Sequence, residues 1–188
     1  MRFRYRRGNK PARKDGKPDN KSIADLQKIV LIGNPNVGKS LIFGRLTGSY
    51  VAVSNYPGTT VAIDTGKCKL NGKEYGIIDS PGMYSFIPIT EEERVAKQLL
   101  LEEKPRLVIH VIDARNMERM LPMTLQMIET DLPLMLVVNM MDEAEAAGIK
   151  IDCEELETTL GIPTVPVVAT TCRGFPELIF RMGDYVAS

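Results

Sequence analysis

Gly33-Asn34-Pro35-Asn36-Val37-Gly38-Lys39-Ser40 matches G-x-x-x-x-G-K-[ST] with no substitution, and its surroundings decide the fold. Such a loop holds phosphate only between a strand ending at the first glycine and a helix starting at the lysine, so that backbone N–H groups and the positive helix end face one anion. Both neighbours are legible. Lys28-Ile29-Val30-Leu31-Ile32 is a short β-branched apolar run, and Leu41-Ile42-Phe43-Gly44-Arg45-Leu46 carries apolar residues at helical spacing. In that setting Lys39 reaches the β and γ phosphates of a nucleotide, and the Ser40 hydroxyl ligates Mg²⁺.

Outward from this loop, strands and helices alternate, the pattern of a sheet covered on both faces. Strand 28–32 and helix 39–47 come first, then a polar segment, 48–60, read as a mobile loop around Pro57-Gly58. Strands 61–70 and 73–78 flank Asn71-Gly72, a hairpin signal that makes them antiparallel neighbours. Pro81-Gly82-Met83-Tyr84 opens a second loop before a helix from 90, whose Glu91, Glu92 and Glu93 suit its positive end. Strand 107–113, helix 117–130, strand 134–139, short helices 143–147 and 152–160, strand 164–168 and helix 175–186 complete the chain. The expected architecture is an α/β three-layer sandwich with a six-stranded mixed sheet, one strand antiparallel, and helices on both faces.

The 188 residues suffice for one well-cored domain, assigned to 23–188. Net charge is zero but uneven, since the first 21 residues hold nine Lys and Arg against Asp15 and Asp19. Residues 1–22 are expected to form a disordered basic arm, because they carry too little apolar surface to fold. A leader, attraction to anionic lipid and attraction to RNA are all compatible with it. Cys68, Cys153 and Cys172 are far apart with no C-x-x-C pair, which indicates neither a zinc site nor a disulfide framework and suits a reducing compartment. No apolar run has the 18 or more residues of a membrane span. His110, the only histidine, sits mid-strand, where a core role outweighs a catalytic one, because ligands bind beyond the carboxyl ends of such strands.

The chemistry lies at those ends. Asp79-Ser80-Pro81-Gly82 follows a strand, where an Asp holds water on Mg²⁺ and the glycine N–H meets the γ-phosphate. Thr59 and Thr60 lie in the first loop, where a threonine ligates Mg²⁺ only while the γ-phosphate is present. Asn139-Met140-Met141-Asp142 ends another strand, and a carboxylate there accepts N–H bonds from guanine N1 and N2 that adenine does not offer. The alternative for this stretch is a helix cap by Asp142.

Together with Asn55-Tyr56-Pro57-Gly58-Thr59-Thr60-Val61, Asp79-Ser80-Pro81-Gly82-Met83-Tyr84-Ser85-Phe86 and Val111-Ile112-Asp113-Ala114, these stretches resemble the N-terminal G domain of the bacterial ferrous iron transporter B family over about 27–188. The resemblance implies a Ras-like P-loop GTPase fold and slow hydrolysis of GTP to GDP. It implies a phosphate and Mg²⁺ site from Gly33, Asn34, Pro35, Asn36, Val37, Gly38, Lys39, Ser40 and Leu41, with Gly58, Thr59, Thr60, Val61, Asp79, Ser80, Pro81 and Gly82. Within it Lys39, Asn36, Thr60 and Gly82 take the catalytic roles, and Ser40, Thr60 and Asp79 the Mg²⁺. Asn139, Met140, Met141 and Asp142, with Val168, Ala169 and Thr170, form the guanine side. Met140 departs from the lysine usual over the base, and Val168-Ala169-Thr170 from the usual serine-containing loop.

Met83 stands where many GTPases have a water-orienting glutamine, and a thioether cannot donate. Family members with an asparagine at the place of Asn36 resemble potassium-activated GTPases, which makes Asn36 a candidate K⁺ ligand, the alternative being a loop-turn role. The implied partners are a membrane-embedded transporter domain and copies of the same chain, with no DNA, at the cytoplasmic face of the bacterial inner membrane. Two other functions share these motifs: an RNA-binding ribosome-assembly GTPase of the Era-like group, and a slowly hydrolysing GTP-dependent interaction switch.

Overall fold

The computed structural model describes residues 22–48 and 51–188. The expected basic arm therefore lies, but for Ser22, outside the described residues. The elements are β1 (Lys28–Ile32), α1 (Lys39–Thr47), β2 (Val51–Asn55), β3 (Ala62–Leu70), β4 (Lys73–Asp79), α2 (Glu91–Glu102), β5 (Leu107–Asp113), α3 (Met117–Ile128), β6 (Leu134–Asn139), α4 (Met141–Ala146), α5 (Cys153–Leu160), β7 (Thr164–Pro166) and α6 (Phe175–Ala187).

The strands form one sheet in the order β2-β3-β4-β1-β5-β6-β7. β3 alone runs against its neighbours β2 and β4. All other pairings are parallel. The β3–β4 hairpin turns at Asn71 and Gly72, both at positive φ (48° and 82°), the backbone that the Asn-Gly pair tolerates best. β1 lies at the centre of the sheet, so the loop that leaves it opens where ligands bind in such folds.

The sheet has seven strands, one more than the six expected. The extra strand, β2, falls inside the segment read as a loop. It is an edge strand whose five residues are all exposed, so no buried face imposes a period-two pattern on its sequence. Backbone pairing to β3, from Val51 opposite Gly66 to Asn55 opposite Ala62, holds it instead. At the far side, β7 ends at Pro166 rather than 168, and Val168 makes an isolated antiparallel bridge to Arg173.

Alternation along β1 divides the core. Ile29 and Leu31 pack under α1 and α6 with Ile42, Phe43, Leu178 and Met182. Val30 and Ile32 pack under α2 and α3 with Val95, Leu99, Met123 and Met127. α2 starts with a capping box in which the Thr90 side chain accepts from Glu93 N and Glu93 accepts from Thr90 N. Glu93 also accepts from Ile89 N (2.8 Å) and Tyr84 N (3.1 Å), so one carboxylate fastens the loop before the helix. Those bonds, Ile89 first and then Tyr84, hold its pKa below the usual carboxylate range. His110 is fully buried, with Nδ1 3.0 Å from Thr124 Oγ1, and serves the core.

Candidate functional site

The phosphate loop owes its course to two glycines. At Gly33 (φ 146°) a Cβ would lie 2.2 Å from the Val111 carbonyl oxygen, and at Gly38 (φ 88°) 2.4 Å from Asn139 Nδ2. Both positions exclude any side chain. Asn36, exposed at the loop's outer turn, also has positive φ (64°). Lys39 is buried at the start of α1, and its Nζ donates to the carbonyls of Gly33 (3.1 Å) and Asn34 (3.0 Å), so the ammonium is held inside its own loop. Burial lowers its pKa, with Asp79 opposing. An ammonium with only neutral acceptors is poised for an anion.

Below it, the Ser40 hydroxyl donates to Asp79 Oδ2 over 2.7 Å. Asp79 Oδ1 is buried without a hydrogen-bond partner, and so is Asn34 Oδ1. Burial pushes the Asp79 carboxyl up, and Asp64 adds to this; Ser40 and Lys39 pull it down. A hydroxyl beside a carboxylate with a spare oxygen fits Mg²⁺, which takes few protein oxygens and leaves its other positions to water and phosphate. Among the described residues no group of three or more His, Cys, Asp and Glu forms a self-sufficient metal cage.

The second loop lies directly on the first. A Cβ on Gly82 would meet Pro35 at 2.7 Å, and Met83 N donates to the Gly33 carbonyl over 3.1 Å. Ser80 N donates to the Leu31 carbonyl at 3.1 Å. Met83 itself is fully buried in the core under α2, so its side chain is not available to approach a nucleotide.

Thr60 is not brought into the site. It is exposed, and its hydroxyl makes no hydrogen bond to the described residues. Thr59 is occupied locally, donating to the Tyr56 carbonyl (3.0 Å) and accepting from Val61 N (3.2 Å), in a turn that passes through Gly58 at φ 77°. The turn is anchored to α2 by Tyr56, whose hydroxyl donates to Glu102 Oε2 over 2.7 Å.

On the other side of the phosphate loop, a pocket of ≈ 60 Å³ is lined by Gly38, Leu41, Asn139, Met140, Asp142, Glu143, Val168, Ala169 and Thr170, which joins the two expected guanine stretches. Asn139 also does structural work: Nδ2 donates to the Val37 carbonyl (2.9 Å) and Oδ1 accepts from Ala169 N (3.0 Å). α4 begins two residues earlier than expected. Met140, at φ 62°, is its N-cap residue and Asp142 lies exposed in its first turn, so the helix-cap alternative for Asp142 does not hold. Met141 N donates weakly to the Val167 carbonyl at 3.4 Å.

The degenerate loop after β7 is held by groups that carried no sequence signal. Arg45 Nη2 donates to the Thr170 carbonyl (3.2 Å), and Arg173 binds both oxygens of Glu145 at 3.1 and 2.7 Å. Two larger hollows, ≈ 470 and ≈ 760 Å³, contain no phosphate-loop residue, so volume does not mark this site; its donors do.

The family model described as ferrous iron transport protein B matches residues 27–182. The chain is similar to the Fe(2+) transport protein A/Fe(2+) transporter FeoB fusion protein of Porphyromonas gingivalis, 45% identical over 152 residues that make up 80% of this chain and 18% of that protein. It is 38% identical to the Fe(2+) transporter FeoB of Escherichia coli strain K12, over 85% of this chain and 21% of that protein. It thus spans only a small part of these relatives. Among solved structures, the FeoB G-domain from Methanococcus jannaschii aligns with TM-score 0.76 and 38% identity, over 86% of this chain and 98% of that one. The cytosolic domain of T. maritima FeoB in GDP form I aligns with TM-score 0.82 and 37% identity, over 87% and 64%.

Proposed function

Because the chain belongs to the ferrous iron transport protein B family, we propose that it binds and slowly hydrolyses GTP, and that its nucleotide state governs ferrous iron passage through a membrane-embedded part of a longer protein. The observation that carries this reading is the convergence at the end of β1. A buried Lys39 ammonium, the Ser40 hydroxyl and an Asp79 carboxylate with one spare oxygen face the same loop.

In this reading the β and γ phosphates replace the loop carbonyls on Lys39 Nζ. Ser40 and Asp79 would hold Mg²⁺, which when bound would supply positive charge against the phosphate oxygens. The Gly82 N–H meets the γ-phosphate. Thr60, now exposed, closes onto the site only when triphosphate is present. Asp142 accepts from the guanine edge, Ala169 and Thr170 offer backbone donors, and Asn139 keeps the phosphate and base loops in register. The chain acts at the cytoplasmic face of the inner membrane, the rest of the protein supplying the spans; among the described residues no helix is long and apolar enough to cross one.

Hydrolysis in this site depends on a cation rather than on a side chain that orients water. With Met83 buried, turnover without a cation or an arginine finger would be roughly 10⁻⁴ to 10⁻³ per second. In this reading the Asn36 amide, exposed at the loop's outer turn, would share K⁺ with phosphate oxygens. A slowly hydrolysing interaction switch is the second reading, favoured by that same burial of Met83. Phosphate release from GTP and ATP, in K⁺ and in Na⁺, for native and Asn36→Ala protein, tests both. Faster GTP turnover in K⁺ that the substitution abolishes supports cation-assisted hydrolysis; equal slow rates in both salts support the switch; and turnover of ATP as fast as GTP contradicts both.

A further inference from the structure

The residue beside the base pocket with the most unusual bonding is Arg115, on the 3₁₀ turn between β5 and α3. Its Nε and Nη2 grip the two oxygens of Asp113 at 3.0 and 2.8 Å, and its Nη1 bonds Glu143. Asp113 is buried and further fixed by Arg115 N (2.9 Å) and Asn116 Nδ2 (3.1 Å), so the guanidinium is aimed before any ligand arrives. Its remaining contact is with Met140: Nη2 lies 3.3 Å from the Met140 sulfur.

Met140 and Glu143 both line the base pocket, so the guanidinium touches two of its wall residues. Methionine at 140 supplies the apolar stem of a base-covering residue but no charge. Without a cation here, Asp142 and Glu143 would leave two carboxylates on the wall of a pocket that, in this reading, receives an anionic nucleotide. The guanidinium is held above its usual pKa first by its bonds to Asp113, then by Glu143 and Asp142, which places Asp142 within its electrostatic reach.

Resting on the guanine-nucleotide reading above, we propose that Arg115 is a positioning residue for the purine: it pins the Met140 side chain as the wall over the base and supplies the positive charge that Met140 lacks. It acts through Met140 and through the field at Asp142. A purely structural alternative, a strut between the 3₁₀ turn and α4, makes a different prediction when charge is returned at position 140.

The test uses Arg115→Gln, which keeps the aliphatic stem and two N–H donors in place of five but removes the charge, and the double variant Arg115→Gln/Met140→Lys. GDP and ADP affinities are measured by titration, with melting temperatures taken alongside. Arg115→Gln should weaken GDP binding roughly tenfold, the scale of removing a unit charge from the rim of a half-solvated pocket. The added lysine should recover most of that loss. GDP affinity unchanged in Arg115→Gln, or weakened but not recovered by the lysine, overturns the proposal and leaves Arg115 a strut. A native protein that binds GDP and ADP alike overturns the guanine reading itself, an outcome distinct from selective native binding with an indifferent Arg115.

Discussion

Ser40 and Asp79 are joined by a 2.7 Å hydrogen bond that engages Oδ2, while Oδ1 of the same carboxylate is buried without a partner. The protein therefore keeps an under-satisfied carboxylate beside the phosphate loop. Burial holds its pKa above the ordinary carboxylate value. Between those two values the folded state keeps a proton that the unfolded state releases, so this group's contribution makes stability fall as pH rises through that window. Asp79→Asn should remove that fall, raise the melting temperature of the nucleotide-free protein near neutral pH, and abolish the Mg²⁺ dependence of triphosphate binding. Melting curves across pH, with and without Mg²⁺, check it, and parallel curves for native and variant would refute it.

Asn139 ties the phosphate loop to the loop after β7, and neither partner is free to find water. Asn139→Ala leaves the Val37 carbonyl and Ala169 N–H unpaired, at about 1–3 kcal/mol for each buried group. Asn139→Asp keeps an acceptor for Ala169 N but sets a buried carboxylate against the Val37 carbonyl, so it should cost at least as much. Urea denaturation of the three proteins should place both variants below native; an Ala variant as stable as native would contradict it.

Sequence reasoning reached the parts of this site whose chemistry demands a residue type at fixed spacing. Gly33, Gly38, Lys39 and Ser40 sit within eight residues, and local sterics alone dictate the glycines. What it missed depends on distant partners. Asn139 reads as a base-recognition residue, but its bonds reach 102 and 30 residues along the chain. Glu93 reads as a helix-dipole charge, whereas it fastens a loop by backbone bonds that only the folded chain assembles. Met83 occupies a glutamine's position in the motif, but the core claims its side chain. β2 escaped because an edge strand exposed on both faces leaves no periodic trace.

His110 is fully buried, and burial first, with the Lys39 charge second, depresses its pKa to about 3. The unfolded chain binds a proton near pH 6.5 that the folded chain refuses. The stability this group contributes is complete above that value and lost as pH falls toward about 3. His110→Leu should flatten the fall of stability over that interval, although leaving the Thr124 hydroxyl unpaired costs about 1–3 kcal/mol throughout. Denaturation midpoints from pH 7 downward decide it, and the same pH slope in both proteins would exclude the buried imidazole as the cause.

Thr60 is exposed and makes no hydrogen bond to the described residues, so its removal has little to cost in the fold. Thr60→Ala should leave melting temperature and GDP affinity as in the native protein and weaken a non-hydrolysable GTP analogue in Mg²⁺ by severalfold, because its contact forms only with the γ-phosphate. Equal weakening of both nucleotides would make Thr60 a structural residue.

Guanine selectivity in this reading rests on Asp142, the exposed carboxylate lining the pocket shared by Met140 and Ala169. Two charge-assisted bonds to the base are together worth several kcal/mol, of which about 1.5–3 is expected from each. Titration of GDP and ADP against native and Asp142→Ala protein measures this directly. The native chain should bind GDP at least about a hundredfold more tightly than ADP, at 1.4 kcal/mol per tenfold, and the variant should lose most of that preference. Equal affinities for GDP and ADP in the native chain, or a preference that survives the loss of Asp142, would contradict it.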